Sequence, residues 1–282
     1  MKEAMYYKLF DDHIECQLCA HHCRIKEEKT GICRVRKNIE GKLYSLNYGK
    51  LTAIHDDPVE KKPLYHFMPG TRTLSIGSYG CNFACRFCQN YEIAQEQPSF
   101  IIDRTPEDIV NMAIREGFPS ISYTYNEPTV FYEFMLDTAK LAHSKGLKNI
   151  MVTNGFIENE PLEELLEYMD AFNIDLKTFN DETYRRICGG RLEPVLETIK
   201  LASSKSHVEV TTLIVTGMND TEEELTRIFE WLAGVDENIP LHLTRYFPAY
   251  KYNEPPTDVD FMRRMHEKAR KYLTNVHLGN IF

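Results

Sequence analysis

Short apolar runs alternate with amphipathic stretches along most of the chain, from about residue 73 onward. The apolar runs have the length and β-branched content of buried strands, and the stretches between them repeat apolar residues at helical spacing. Strands that alternate with helices indicate a parallel sheet covered by its crossover helices. The predicted strands are residues 73–78, 120–125, 148–153, 171–177, 208–215, 241–246 and 276–278.

Several of the predicted helices carry clear start and stop signals. Thr105 precedes Pro106 and two acidic residues, which combines an N-cap with a first-turn proline, and residues 159–161 and 220–224 carry similar signals. Gly146 ends the long helix that follows Pro128. The residues from 73 onward are too few for a closed eightfold barrel, which takes about 250 residues. The pattern therefore predicts an α/β fold with a partial, open (β/α)6 TIM-like barrel.

The segment before residue 73 contains four cysteines in C-x2-C-x3-C-x9-C order, here called the N-terminal cysteines: Cys16, Cys19, Cys23 and Cys33. Four thiolates saturate one metal centre, either structural zinc or a second 4Fe-4S cluster that acts as an electron relay, and His21 and His22 are alternative ligands. Four free thiols are the alternative to a metal site. Residues 42–46 and 50–55 predict a hairpin, and residues 57–63 a linker. We therefore expect a small Cys-rich metal-binding segment with a hairpin, residues 1–72, followed by the barrel, residues 73–282.

Three further cysteines lie within eight residues directly after the first barrel strand, here called the loop cysteines: Cys81, Cys85 and Cys88. A 4Fe-4S cluster takes four thiolates, so three of them leave one iron open to a small molecule. An open coordination position is typical of catalytic rather than structural metal sites. A disulfide or a zinc knuckle is the alternative, but zinc motifs come as paired doublets.

Composition and charge narrow the functional class. With 282 residues, 43% of them hydrophobic, the chain can bury a full core, and its net charge of -9 argues against a nucleic-acid or anionic-membrane surface. The sequence has no apolar run of transmembrane length and no signal-peptide pattern. Seven of the eight cysteines belong to the two metal-ligand clusters, which need a reducing compartment. We expect a cytoplasmic protein without a nucleic-acid or membrane partner.

The C-x3-C-x2-C spacing, with Phe87 before the third cysteine, resembles the radical S-adenosylmethionine (SAM) superfamily. This resemblance implies that SAM chelates the open iron, and that one electron from the cluster splits SAM into methionine and a 5'-deoxyadenosyl radical. The radical then takes a hydrogen atom from the substrate. The resemblance also implies an open-sided barrel, Phe87 at the cofactor, and a reductant such as flavodoxin or ferredoxin.

Polar residues on the predicted barrel strands are candidates for the rest of the site. Asn173, Asp175 and Lys177 share one face of a parallel strand, where both faces are ordinarily apolar. We expect Lys177 to pair with the SAM carboxylate, and Asp175 to orient it or to help hold a monovalent cation. An Asp-Lys pair that only stabilises the barrel is the alternative.

Strand ends add further cofactor-binding candidates. Backbone carbonyls of Tyr125, Asn126 and Glu127, or the Glu127 side chain, are placed to receive the SAM ammonium, and Asn154 to reach the ribose hydroxyls. An ordinary helix start and an ordinary Asn-Gly turn are the alternatives.

Near the last strands of the barrel, His242 and Arg245 are candidates for binding substrate or a carboxylate. The candidate catalytic residues are Asp175, Lys177 and His242. Cys188 is expected to be a small buried residue, with a hydrogen-donor role as the alternative.

Residues 153–155 and 175–177, together with the loop cysteines, resemble the activating enzymes of glycyl radical proteins, such as pyruvate formate-lyase activating enzyme. The N-terminal cysteines and residues 57–70 and 191–196 resemble more closely the radical SAM component of the AmmeMemoRadiSam system. The first resemblance implies a glycyl radical enzyme as partner, and the second a Memo-like or AMMECR-type protein. We expect a radical SAM oxidoreductase that abstracts hydrogen from an unidentified partner protein or small molecule. A glycyl radical activase and a non-catalytic iron-sulfur electron-transfer protein are the alternatives.

Overall fold

An eight-stranded sheet forms the centre of the computed structural model, which describes residues 1–281. Phe282, the last residue of the expected barrel range, lies outside the described residues. In chain order the strands are β1 (Lys2–Glu3), β2 (Tyr7–Leu9), β3 (Ile14–Cys16), β4 (Arg24–Ile25), β5 (Arg36–Ile39), β6 (Lys42–Ser45), β7 (Lys50–Leu51), β8 (Ala53–Pro58), β9 (Arg72–Gly77), β10 (Ile102–Asp103), β11 (Ser120–Tyr123), β12 (Lys148–Thr153), β13 (Ala171–Asp175), β14 (His207–Ile214), β15 (Leu241–Arg245) and β16 (Val276–Gly279). The α-helices are α1 (Tyr91–Ala94), α2 (Pro106–Glu116), α3 (Tyr132–Ser144), α4 (Asn159–Leu166), α5 (Asp181–Thr183), α6 (Leu192–Ser203), α7 (Glu222–Asp236) and α8 (Val259–Ala269). Short 3-10 turns cover Val59–Lys61 and Pro128–Phe131, and a π-helical turn covers Tyr184–Cys188.

The central sheet has the order β16-β15-β14-β13-β12-β11-β9-β8, and only β8 runs antiparallel to its neighbour. Each parallel strand from β9 to β15 is followed by a crossover helix, in turn α2, α3, α4, α6, α7 and α8. Within residues 1–281 the edge strands β8 and β16 do not pair with each other, so the barrel is open. Six strand–helix units and a closing strand confirm the predicted partial (β/α)6 barrel.

Two of the three predicted helix starts have the expected side-chain cap. The third does not, because α4 begins at Asn159 itself, its N-cap is Glu158, and no side chain caps it. Thr105 and Asp108 form a capping box before α2, in which each side chain accepts a hydrogen bond from the other residue's backbone N–H. The Thr221 hydroxyl accepts from the backbone N–H of Glu224 at the start of α7. These bonds satisfy first-turn N–H groups that otherwise lack partners.

The predicted hairpin between residues 42–46 and 50–55 is wrong. Strand β6 pairs with β5 and β1, β7 pairs with β10, and β8 pairs with β9 along its whole length. Glu40 and Gly41 both have positive φ, which gives the tight two-residue turn that joins β5 to β6. The predicted linker also begins inside a strand, because Asp57 and Pro58 belong to β8. The division at residue 72 stays a prediction, although β8 extends the barrel sheet from before it.

Residues 59–71, here called the strap, join β8 to β9 across the amino ends of the barrel strands. Glu209 on β14 is fully buried, and its carboxylate accepts hydrogen bonds from the backbone N–H groups of Tyr65 at 3.0 Å and His66 at 2.7 Å. Asn173 on β13 donates to the Pro63 carbonyl at 2.8 Å. These bonds fix the strap against the barrel, since an unpaired buried carboxylate is costly.

The Glu209→Gln substitution is predicted to lower the free energy of unfolding at pH 7 by about 3 kcal/mol, because it removes a buried charge from its donors. Burial opposes ionisation, but bonds from His207, His242 and the strap hold the pKa of Glu209 well below its usual range. His66 and His277 lie beside this group. A depressed pKa contributes stability above the pKa of an unfolded glutamate, about 4.3, and loses it as the pH falls.

Urea unfolding at pH 7 and at successively lower pH measures this effect. The difference between wild type and variant is expected to shrink as the pH falls below about 4. Glu197→Gln, at an exposed pair with Lys200, is the control and costs less than about 1 kcal/mol. Equal stability of wild type and Glu209→Gln at pH 7 contradicts the proposed clamp.

Candidate active site

The segment between β9 and α1, residues 78–90 and here called the cluster loop, carries the loop cysteines at the carboxyl end of the barrel. Gly80 enters it with φ +85°, and a Cβ at this position would lie 2.8 Å from the Cys33 carbonyl oxygen. Glycine is therefore required both for the backbone angle and for the close approach of the N-terminal segment. All three loop cysteines line one cavity of about 560 Å³, here called the barrel cavity.

The loop cysteines fit a 4Fe-4S cluster with one open iron. The backbone N–H of Phe83 donates to Cys81 Sγ at 3.3 Å, and burial raises the pKa of Cys81 and raises that of Cys88 to about 11. Metal binding removes the protons from such thiols. Among residues 1–281, no three His, Cys, Asp or Glu side chains are arranged to hold a single metal ion. A 4Fe-4S cluster does not need such convergence, because each thiolate binds a different iron.

Cys188 lies beside the loop cysteines rather than in a remote part of the core. Its carbonyl oxygen accepts from the Ala84 backbone N–H at 2.7 Å, and the Ile187 carbonyl accepts from Arg86 at 3.1 Å. A hydrogen bond from the Cys188 thiol lowers the pKa of Cys85 and raises that of Cys188 itself. The turn after β13 therefore holds the cluster loop from one side.

Asn126 and Glu127, directly after β11, hold the loop from the other side. The Asn126 side chain accepts from the Ser78 backbone N–H at 2.9 Å and donates to the Gly80 carbonyl at 3.0 Å. The buried Glu127 carboxylate accepts from Thr153 Oγ1 at 2.7 Å and from the backbone N–H of Asn154 at 2.8 Å. Burial raises the pKa of Glu127, and these donors oppose the rise. The end of β12 is thereby tied to the end of β11.

The Asn154 side chain connects the end of β12 to the cluster loop near the first loop cysteine. Its Nδ2 donates to Asn82 Oδ1 at 2.8 Å and lies 3.8 Å from Cys81 Sγ. Its Oδ1 accepts from the backbone N–H of Phe156 at 2.9 Å. Asn82 in turn donates to the Phe156 carbonyl at 2.8 Å.

Asp175 and Lys177 form an ion pair in the wall of the barrel cavity, with 2.9 Å between Asp175 Oδ2 and Lys177 Nζ. The Lys177 side chain is 15% exposed and that of Asp175 35% exposed, so both can contact a ligand. Burial alone would lower the pKa of Lys177, but the charges of Asp175 and Cys85 raise it above the ordinary value. Lys177 therefore stays cationic next to the loop cysteines.

Lys61 and Lys62 of the strap also line the barrel cavity. Asp57 accepts from Lys61 Nζ at 2.8 Å, from Lys62 Nζ at 2.7 Å and from the Tyr125 hydroxyl. Burial opposes ionisation of Asp57, but these three donors hold its pKa well below the usual range. Two lysines against one carboxylate leave a net positive charge at this part of the cavity wall.

Most of the residues predicted for the site line the barrel cavity. These are Cys81, Cys85, Phe87, Cys88, Tyr125, Asn126, Glu127, Asn154, Asp175 and Lys177. Two predictions need correction. His242 lies at the amino end of β15, fully buried against Glu209 at 2.7 Å, and Arg245 bonds the Thr257 carbonyl at 2.9 Å on the opposite face of the strand. Neither lines the cavity; Thr244, between them in sequence, does.

Sequence reasoning missed three residues of this region. Asn82 connects Asn154 to the cluster loop, and the only signal for it is an amide side chain directly after the first loop cysteine. Lys61 and Lys62 were assigned to a linker. Their signal is the spacing of four residues from Asp57 to Lys61, which suits an ion pair.

The N-terminal cysteines lie together as well, and all four line a second, smaller cavity. They come from the end of β3, the turn between β3 and β4, and the loop before β5. None of the helices within residues 1–281 is long and apolar enough to span a membrane.

Comparisons with known proteins agree with this geometry. The model of the radical SAM superfamily matches residues 75–232. An uncharacterized protein of Methanocaldococcus jannaschii, MJ0808, is 46% identical over 100% of this chain and 86% of its own length. Pyruvate formate-lyase 1-activating enzyme of Escherichia coli is 24% identical over 65% of this chain and 77% of its own.

Among solved structures, Streptococcus suis SuiB bound to S-adenosylmethionine has a TM-score of 0.57 at 17% identity, over 71% of this chain and 47% of SuiB. At this identity the likeness shows the fold alone. The match to the family model is stronger evidence for the family. It covers more than half of the chain, and it includes the three loop cysteines and most of the residues that line the barrel cavity. The chain therefore belongs to the radical SAM superfamily.

Proposed function

We propose that the protein cleaves SAM reductively and abstracts a hydrogen atom from a partner protein or a small molecule. The main support for this proposal is that one cavity is lined by the loop cysteines, by the Asp175–Lys177 pair and by Asn154. When bound, the cluster and SAM supply a one-electron cleavage that yields methionine and a 5'-deoxyadenosyl radical. The protein contributes the positions of the reacting groups, which decide specificity for so reactive a species.

Each side chain has a role that its contacts support. The loop cysteines hold the cluster, and Lys177 pairs with the SAM carboxylate while Asp175 orients it. Asn154 keeps a second lone pair on Oδ1, because that atom accepts one bond, from Phe156, and this lone pair suits a ribose hydroxyl. Three donors occupy the Glu127 carboxylate, which has about four acceptor sites, and we assign the SAM ammonium to the backbone carbonyls of residues 125–127.

The hydrogen donor enters from the open side of the barrel, between β8 and β16. Lys61 and Lys62 line the cavity wall that the strap provides. Flavodoxin- or ferredoxin-type proteins are the proposed reductants. The likeness to pyruvate formate-lyase 1-activating enzyme favours a glycyl radical enzyme as the target, and a glycyl radical signal in a co-purified partner tests it.

A Memo-like or AMMECR-type target is the second candidate. It rests on residues 57–70 and 191–196, which resemble the AmmeMemoRadiSam component. Residues 57–70 form the end of β8 and most of the strap. The strap covers the amino ends of the barrel strands, and its Lys61 and Lys62 line the barrel cavity.

The first test is the formation of 5'-deoxyadenosine by anaerobic, iron-reconstituted and dithionite-reduced protein. Wild type is expected to form it, and Cys85→Ala to lose at least about a hundredfold in rate, because two thiols hold the cluster poorly. Iron content is measured beside the activity. A wild-type protein with a full cluster that binds no SAM contradicts the proposal and favours a non-catalytic electron-transfer protein.

The second test concerns the cation next to the loop cysteines. Lys177→Met is expected to raise the dissociation constant for SAM about tenfold, because a charge-assisted contact to the carboxylate is lost. Equilibrium dialysis with cluster-loaded protein measures this constant. Lys200→Met, at an exposed pair on α6, is the matched control. An unchanged constant in Lys177→Met with a full iron content removes Lys177 from the SAM site.

A further inference from the structure

We propose that the N-terminal cysteines hold a second 4Fe-4S cluster, which passes single electrons to the cluster at the loop cysteines. The metal site is argued from the N-terminal cysteines and their surroundings, whereas the choice of iron over zinc and the electron transfer rest on the proposed function.

The four thiols surround one closed space. Cys16 ends β3, Cys19 and Cys23 lie in the following turn, and Cys33 comes from the loop before β5. Leucine, isoleucine and valine side chains form much of the remaining wall: Leu18, Ile25, Ile32 and Val130. Four cysteines that line one largely apolar cavity are the ligand set of a 4Fe-4S cluster or of structural zinc.

A hydrogen-bond donor is directed at one of these sulfur atoms. The backbone N–H of Ile32 donates to Cys23 Sγ at 3.5 Å. Such an N–H···S bond stabilises negative charge on ligated sulfur.

The buried Arg36 side chain has one N–H group without a hydrogen-bond acceptor within residues 1–281, and this is separate evidence for a group bound in the cavity. The side chain lines the cavity and is about 2% exposed; one nitrogen donates to the Met5 carbonyl at 3.0 Å and another to Glu133. Its Nε–H has no acceptor among the described residues. An unsatisfied buried donor costs about 1–3 kcal/mol, and a sulfur-rich anionic cluster in the cavity would accept this bond.

The four thiols are the ligand set that we propose, because all four cysteines line the cavity. His22 does not line it, and its Nε2 pairs with Glu158 at 3.0 Å. His21 does line it, and its Nε2 bonds the Asn82 carbonyl at 2.7 Å. The spacing of the four cysteines is not the paired doublet that is typical of zinc sites.

The position of the site favours iron over zinc, because the two cysteine sets adjoin. Gly80, which precedes Cys81, packs directly on the Cys33 carbonyl. Asn82 lines the N-terminal cavity, and its Oδ1 lies 3.9 Å from Cys81 Sγ. Zinc is redox-inert and gains nothing from a position next to the loop cysteines, whereas a 4Fe-4S cluster there adjoins the cluster to which it passes electrons.

The electron transfer balances without a proton or further reactant. A flavodoxin- or ferredoxin-type donor loses one electron to the N-terminal cluster, which passes from its 2+ to its 1+ state. That cluster returns to 2+ as the loop cluster is reduced from 2+ to 1+. Ile32, 55% exposed beside Cys33, marks the surface where the donor reaches the N-terminal site.

Metal analysis of the anaerobically purified and reconstituted full chain, expressed with both zinc and iron present, tests the second cluster. About eight irons and eight sulfides per chain, without zinc, are expected. The triple variant Cys81→Ala, Cys85→Ala, Cys88→Ala is expected to keep about four irons, and Cys16→Ser with Cys23→Ser likewise about four. Lys200→Met, at an exposed pair on α6 away from both cysteine sets, is the control and keeps about eight.

Two outcomes overturn the second cluster: one zinc with about four irons, or about four irons and no zinc in the wild type. The iron and zinc contents of the wild type and of the loop triple variant decide the question even if the Cys16→Ser, Cys23→Ser variant does not fold. Neither measurement involves SAM cleavage, so a missing second cluster can be told apart from a failure of the proposed function.

Reduction kinetics test the transfer itself. Electron paramagnetic resonance of the loop cluster is followed after mixing with reduced flavodoxin or with dithionite. In Cys16→Ser with Cys23→Ser the reduction by flavodoxin is expected to slow at least about tenfold, with dithionite reduction unchanged. Equal flavodoxin rates in variant and wild type overturn the transfer and leave the metal assignment intact.

Discussion

The buried carboxylate of Glu127 is the interaction on which the geometry of the site depends. A charge in this position is tolerable only with donors around it. The donors are the Thr153 hydroxyl and the Asn154 N–H at the end of β12, and the Thr129 N–H in the turn that follows Glu127 itself. Asn154 is thereby fixed, and it holds Asn82 and approaches Cys81. One carboxylate therefore determines the distance between the cluster loop and two neighbouring strand ends, which is the distance that a bound cofactor has to match.

The two ends of the barrel are built for different purposes. The strap closes the amino ends through Glu209 and a layer of histidines, which are structural groups. At the carboxyl ends, parallel strands deliver polar side chains and loops to one cavity, as in other barrels of this kind. The open edge between β8 and β16 leaves access for a large hydrogen donor. The same barrel thus provides a rigid floor and an accessible reaction space.

The alternation of strands and helices, two of the three helix caps and the loop cysteines could be predicted from the sequence because each depends on local spacing. The spacing of Asp175 and Lys177 likewise predicted that the two side chains lie together, and both line the barrel cavity, although Lys177 follows the end of β13. His242 was misplaced because period-two patterns give the face of a strand but not the depth along the barrel. Asn82 was missed because its partner, Asn154, is distant in sequence. Lys61 and Lys62 lie in an apparent linker, and the four-residue spacing from Asp57 to Lys61 is the one local signal of their pairing.

The central claim is that SAM binds directly to the iron that the three loop cysteines leave open. The most direct measurement is hyperfine spectroscopy of the reduced loop cluster with SAM that is isotopically labelled at its amino nitrogen. The Cys16→Ser, Cys23→Ser variant isolates this cluster. With labelled SAM, we expect a hyperfine coupling between the amino nitrogen and the cluster spin. With unlabelled SAM, we expect this coupling to be absent. A fully loaded cluster whose spectrum is unchanged by SAM contradicts the account.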